Sequence, residues 1–163
     1  MKKAKRYLIF SAVICALSVA AMIFALGMDK PQVHTEFTPP PFEENAEKGT
    51  PPVPKYLGWS ELDARAFKFS VCGKVYAKEQ KADIWFTNPK SNVLWLKLRI
   101  LDENNNIIGE TGIIRPGEYV RAVPLFKEVS DNMPITVKVM SYEPETYFSE
   151  GAVSLGTSIK VLP

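Results

Sequence analysis

The 163-residue chain carries 20 basic and 18 acidic side chains, a net charge of +2, with one histidine and two cysteines. Near-neutrality argues against binding a phosphate backbone, which needs a clustered basic surface, and two cysteines are too few for a disulfide-built scaffold. A lone histidine, His34, removes most imidazole chemistry at the outset.

The basic tip, residues 1–6, holds Lys2, Lys3, Lys5 and Arg6, and residues 7–28 after it carry no charge. Twenty-two residues at the helical rise make about 33 Å, enough to cross a hydrocarbon core, so this segment predicts one transmembrane helix. The cationic flank assigns the N-terminus to the cytoplasm and the remainder to the extracytoplasmic side of a cell membrane. The apolar run outlasts a cleaved signal, whose best site would be Ala25-Leu26-Gly27, and the segment reads as a signal-anchor. Cys15 follows Ile14, which does not fit a lipid-attachment motif, and reads as a small apolar residue facing lipid.

Residues 29–55 contain seven of the thirteen prolines and read as a linker. Pro39-Pro40-Pro41 and Pro51-Pro52-Val53-Pro54 favour stiff polyproline II pieces, which would hold an outer domain away from the lipid. An alternative use of such a tract is as a ligand for an aromatic groove.

Residues 56–163 then make one domain with thirteen basic and thirteen acidic side chains. Runs rich in Val, Ile, Leu, Phe and Trp recur every eight to twelve residues, at 66–71, 82–87, 93–101, 107–110, 119–125, 135–142 and 152–161, the spacing of an all-β sandwich or barrel. Turn residues separate them at 88–92, 102–106, 115–118, 130–132 and 143–145. No helix is predicted in the domain. A symmetric hairpin about residues 88–92 would set Phe86 opposite Leu94 and Ile84 opposite Leu96, with Leu98 and Ile100 continuing an apolar inner face. On the other face Trp85 would lie across from Trp95 and Asp83 across from Lys97, with Arg99 following. Trp85, Trp95, Lys97 and Arg99 are therefore the candidate contact surface for a protein or a sugar; the alternative is a stacked pair covered by a loop, the linker or the chain after Gly58-Trp59.

Phe86-Thr87-Asn88-Pro89, the long run into Asp102-Glu103-Asn104, the aliphatic pair Ile107-Ile108 and the Pro116-Gly117-Glu118 turn resemble bacterial extracytoplasmic immunoglobulin-like domains of the FxLYD and related types. The likeness spans residues 86–125, with Asn106 where glycine is usual. It implies an immunoglobulin-like antiparallel β-sandwich used for binding or spacing, without an active site.

The chemistry points the same way. With no imidazole in the domain, Ser-His-Asp, Cys-His and histidine-ligated zinc arrangements are excluded, and Cys72 reads as core packing. Asp102, Asn104 and Asn106 have the alternate spacing of a calcium loop, but Ile107 and Ile113 stand where that motif needs glycine and glutamate. The glycines form no phosphate-binding loop. No catalytic, cofactor or metal residue is predicted. The expectation is a non-catalytic, single-pass bacterial envelope protein whose partners are the membrane, through its N-terminal helix, and a protein or cell-envelope component, with no nucleic acid. Alternatives are an inhibitor or accessory subunit of an envelope enzyme, using a protruding loop at 143–151, or a carbohydrate-binding module.

Overall fold

Branched and aromatic residues at every second position give strands whose alternate side chains turn inward, and in the computed structural model these runs build one curled, almost wholly antiparallel sheet. The structure describes residues 7, 13–20, 22 and 37–162, in two compact units, 1–38 and 39–163. The strands are β1 (Glu47–Lys48), β2 (Trp59–Asp63), β3 (Lys68–Cys72), β4 (Val75–Lys78), β5 (Lys81–Asn88), β6 (Trp95–Leu101), β7 (Ile107–Glu110), β8 (Glu118–Pro124), β9 (Met133–Tyr142) and β10 (Ser149–Val161). The chain is all-β here, and a single 3-10 turn, Lys55–Leu57, precedes β2.

The strand order is β1-β8-β5-β4-β10-β9-β6-β7, with β2 on β3 and β3 on β5. β4 joins the two halves: it pairs antiparallel with β5 and parallel with the last three residues of β10. At the far edge Gly109 of β7 bridges Leu125, just past β8, and Phe126 N–H donates to Ile108 O, so the curl closes. Inside lie Phe67, Phe69, Ile84, Phe86, Leu96, Leu98, Ile100, Ile108, Val120, Val137, Val139 and Ile159.

Two expectations need correction. β5 and β6 do not form a hairpin: β5 pairs with β8, β4 and β3, and β6 with β9 and β7. The inner face is the expected one, since Ile84, Phe86, Leu96, Leu98 and Ile100 are fully buried, but they meet across the core and not across a ladder. Alternation fixes which side of a strand turns inward and leaves its hydrogen-bonded neighbour open. The chain leaves β5 at Asn88, whose buried amide donates to Leu94 O (3.0 Å) and Ile114 O (3.1 Å) and accepts from Asn92 Nδ2 (2.7 Å).

The second correction concerns the linker. Residues 39–54 belong to the same compact unit as the strands. Phe42 bridges Ile113 in parallel, Glu43 N–H donates to Ile113 O, and β1 pairs with β8. Proline removes donors, but the carbonyls remain: Pro41 O accepts from Ile113 N–H at 2.9 Å.

Most of the 7–28 segment lies outside the described residues. Those described there, Tyr7, 13–20 and Met22, are helical. Among the described residues no helix is long and apolar enough to cross a membrane.

Candidate functional site

The two outer faces of the sheet differ in what covers them. Outside β3, β5 and β8, Cys72, Trp85 and Tyr119 are buried together with Leu57, and Val53, Trp59 and Tyr76 pack against them. Trp85 occupies a bulge between Asp83 and Phe86 and has φ +53°, rare for a bulky side chain. Its displaced carbonyl accepts from Trp59 Nε1 (3.1 Å) and Thr87 Oγ1 (3.2 Å), while its ring stacks on Tyr119 at 6.1 Å. Among the described residues its own indole N–H is buried without a hydrogen-bond partner. Burial, followed by the charge of Asp83, pushes the Cys72 thiol up to about 12, so it stays protonated and unreactive.

Outside β6, β7, β9 and β10 the floor is partly covered: Arg99 and Lys138 are half-buried, whereas Lys97, at 5% exposure, and Met140 are buried. Register places Trp95 beside Tyr142, Lys97 beside Met140 and Arg99 beside Lys138, with Glu110 on the other flank of Arg99. β10 adds Ala152, Ser154 and Gly156, all exposed. The Glu110 carboxylate receives Lys97 Nζ at 3.0 Å and Arg99 Nε at 2.9 Å. Burial alone would raise Glu110, but the hydrogen bonds and charges of those two cations outweigh it and lower the carboxyl below its usual range. One carboxylate is shared by two cations and Lys138 follows on the next strand, which leaves the face basic.

At one end of this face stands an aromatic group. Trp95 takes Phe42 at 4.9 Å and 77° on one side and Tyr147 at 5.3 Å and 66° on another, both edge-on. The Arg115 guanidinium sits 3.5 Å from the centre of the Phe42 ring. Tyr147 comes from the β9–β10 connection, whose turn is held by Tyr147 N–H to Glu143 O (3.0 Å), Glu143 N–H to Phe148 O (2.9 Å) and Thr146 Oγ1 to Glu143 Oε2 (2.7 Å). Next to it Phe148 is 69% exposed.

Of the four residues read as one surface, Trp95, Lys97 and Arg99 do share a face, but Lys97 is buried in its ion pair with Glu110 and offers no surface, leaving Trp95 and Arg99 half-buried there. Trp85 does not: it lies on β5, buried under Leu57 and Trp59, because β5 and β6 are not neighbours in the sheet. Sequence reasoning missed Phe42, Glu110, Arg115, Lys138 and Tyr147. Phe42 could have been noticed as the lone aromatic between Pro41 and Glu43, whereas the rest depend on strand neighbours that no local pattern specifies.

The Asp102 turn is occupied by the chain itself. Asp102 accepts from Asn104 N, Asn106 N, Asn106 Nδ2 and Lys127 Nζ, and these donors, the lysine first, hold its carboxyl well below the usual carboxylate value. Among the described residues no group of three His, Cys, Asp or Glu could hold a metal ion. Comparisons with family models, with curated proteins and with solved structures give no match.

Proposed function

We propose that this chain is a single-pass bacterial envelope protein: residues 7–28 are a signal-anchor, the tip is cytoplasmic, and residues from Pro39 onward are an extracytoplasmic immunoglobulin-like β-sandwich that binds an acidic protein partner without catalysis. The fold reading is supported by the grouping β3-β5-β8-β1 against β4-β10-β9-β6-β7, in which β4 leaves one group to pair in parallel with the last strand of the other. It keeps the resemblance to FxLYD-type domains as a proposal at the level of fold. The anchor is supported by the helical residues Val13, Ile14, Leu17, Val19 and Met22, which expose apolar side chains, and by Ser18, whose hydroxyl bonds back to Ile14 O at 2.6 Å.

One observation carries the binding reading: one outer face is buried under its own chain, while the other presents the half-buried cations Arg99 and Lys138 edged by Trp95, Tyr142 and Tyr147. Aromatic anchors beside cations are what a protein contact uses. The turn at 143–148 with exposed Phe148 favours a second reading, an accessory subunit or inhibitor that inserts this loop into an envelope enzyme. The carbohydrate reading loses its cue, since the two tryptophans do not form one platform.

The test is crosslinking of the full chain in native membranes with a photoreactive residue at Lys138, followed by mass spectrometry. A single acidic partner, weakened by salt and lost on Trp95→Ala with little change in melting temperature, is expected. Retention of the partner by Trp95→Ala and by charge reversal at Lys138 would sink the assignment of this face.

A further inference from the structure

β10 is the longest strand, and from Ser149 to Ile159 it pairs with β9. On its other side only Ile159, Lys160 and Val161 have a partner, β4. Residues 150–157 therefore present a free edge, and among the described residues none of its backbone groups from 152 to 157 bonds outside the β9 ladder. Natural edges are blunted by prolines, lysines or brevity. This one carries none of these: its sequence is Glu150-Gly-Ala-Val-Ser-Leu-Gly-Thr157, with one charge. By contrast the free edge of β2 is five residues long and carries Glu61 and Asp63. Val153 and Leu155 pack against the core yet stay only half-buried, so the rim of the core is open along this edge.

We propose that the edge is closed by a second copy of the same chain, β10 against β10, antiparallel about a two-fold axis through Ser154. The sequence is self-complementary in that register. Val153 of each copy meets Leu155 of the other on the inner side, Ala152 meets Gly156 on the outer side, and Ser154 faces its own equivalent. Small outer residues let two sheets join without steric conflict, and the half-buried pair completes each core. Glu150, the extra residue of the bulge between Ser149 and Gly151, falls diagonally across from Lys160 of the second copy, and this happens twice. Both residues are exposed and neither has an ion pair among the described residues. The register ends where β4 takes over the edge, from the Ser158 carbonyl onward. Two copies held in one membrane with the same orientation satisfy such a two-fold and raise its effective concentration. Pairing would join the two basic faces into one surface, but it does not depend on what that surface binds.

The test uses the full chain in detergent micelles. In a Cys15→Ser background, Ser154→Cys should form an intermolecular disulfide under mild copper-catalysed air oxidation, because directly opposed residues lie within disulfide range. Asn105→Cys in the exposed β6–β7 turn should not. By sedimentation, Glu150→Lys alone and Lys160→Glu alone should each weaken self-association about tenfold or more, since each sets like charges together twice. An equimolar mixture of those two variants should recover the dimer, because both contacts then join opposite charges. All the substituted positions are exposed, and unchanged melting temperatures confirm intact folding. A wild-type monomer, a dimer indifferent to both charge variants, or equal crosslinking at 154 and 105 would overturn the proposal.

Discussion

Asn88 shows how much one buried polar side chain can hold. It ends β5 with no exposure, ties Leu94 and Ile114 through its amide, and takes Gly117 N–H on its backbone oxygen at 2.7 Å. The Pro116-Gly117 turn is thereby clamped to the strand crossing, with Gly117 at φ +81° and Glu118 Oε2 accepting Arg115 N–H at 2.7 Å. Asn88→Ala removes three hydrogen bonds at once and leaves Leu94 O without its donor, while Ile114 O keeps Leu96 N–H and the Asn92 amide keeps Lys68 O; it should cost about 1–3 kcal/mol in urea unfolding with an unchanged m-value. Asp102 makes a second, pH-dependent prediction. Its pKa is depressed in the folded state, so the unfolded chain binds protons first as pH falls, and the stability it provides is complete at neutral pH. That stability is lost as pH drops below the ordinary value of 3.8. Asp102→Asn should melt lower than wild type at pH 7 and show a flatter acid limb, the gap between the two curves narrowing steadily as pH falls below 3.8. Glu110, also depressed, adds to the acid sensitivity in the same direction. Parallel melting curves for variant and wild type across that range would contradict this account.

Among the elements, those with period-two alternation are legible in the amino-acid sequence. β3, β5, β6, β7, β8, β9 and β10 fall on the runs read there, because a half-buried strand must alternate. β4 is not legible, and its turn explains why. Lys78 pairs with Lys81, and the two residues between them, Glu79 and Gln80, both have positive φ, at 50° and 56°. Two-residue hairpins of this geometry normally announce themselves with Asn-Gly, so a Glu-Gln pair gives no signal. It also carries strain, since each side chain sits in the left-handed region. Substituting Glu79→Asn with Gln80→Gly should therefore stabilise the domain by about 1 kcal/mol, read as a higher denaturant midpoint. β1 and β2 escape notice for another reason. β1 is two exposed residues held by β8, and β2 shows only Trp59 and Leu62 half-covered, so neither has an apolar rhythm to read.

For the whole molecule, the candidate site is half legible. Outward alternation along β6 picks out Trp95, Lys97 and Arg99 from sequence alone, but which strands flank β6 is decided by long-range pairing. That is why local pattern sets Trp85 beside them and leaves out Tyr142, Met140 and Lys138. The same limit applies to the proline-rich stretch, whose composition predicts a spacer. Its role is set by groups far away in sequence: Gly112 N–H waiting for Glu43 Oε2 at 2.7 Å, Tyr119 OH for Glu47 Oε2 at 2.6 Å, and Trp95 for Phe42. Gly112 matters here, because a Cβ would meet the backbone of Glu43 at 2.5 Å, so the segment seats only against glycine. Ordering some fifteen residues is entropically costly, and three prolines at Pro51, Pro52 and Pro54 reduce that cost by stiffening the unfolded segment. A chain beginning at Tyr56 should therefore be the weaker fold than one beginning at Pro39, by at least about 2 kcal/mol in chemical denaturation. Tyr119 should lose its bond to Glu47, and the tryptophan emission should shift as Trp95 loses Phe42. Equal stability of the two chains would return residues 39–54 to the role of spacer, and the basic face would then have to be redrawn without Phe42.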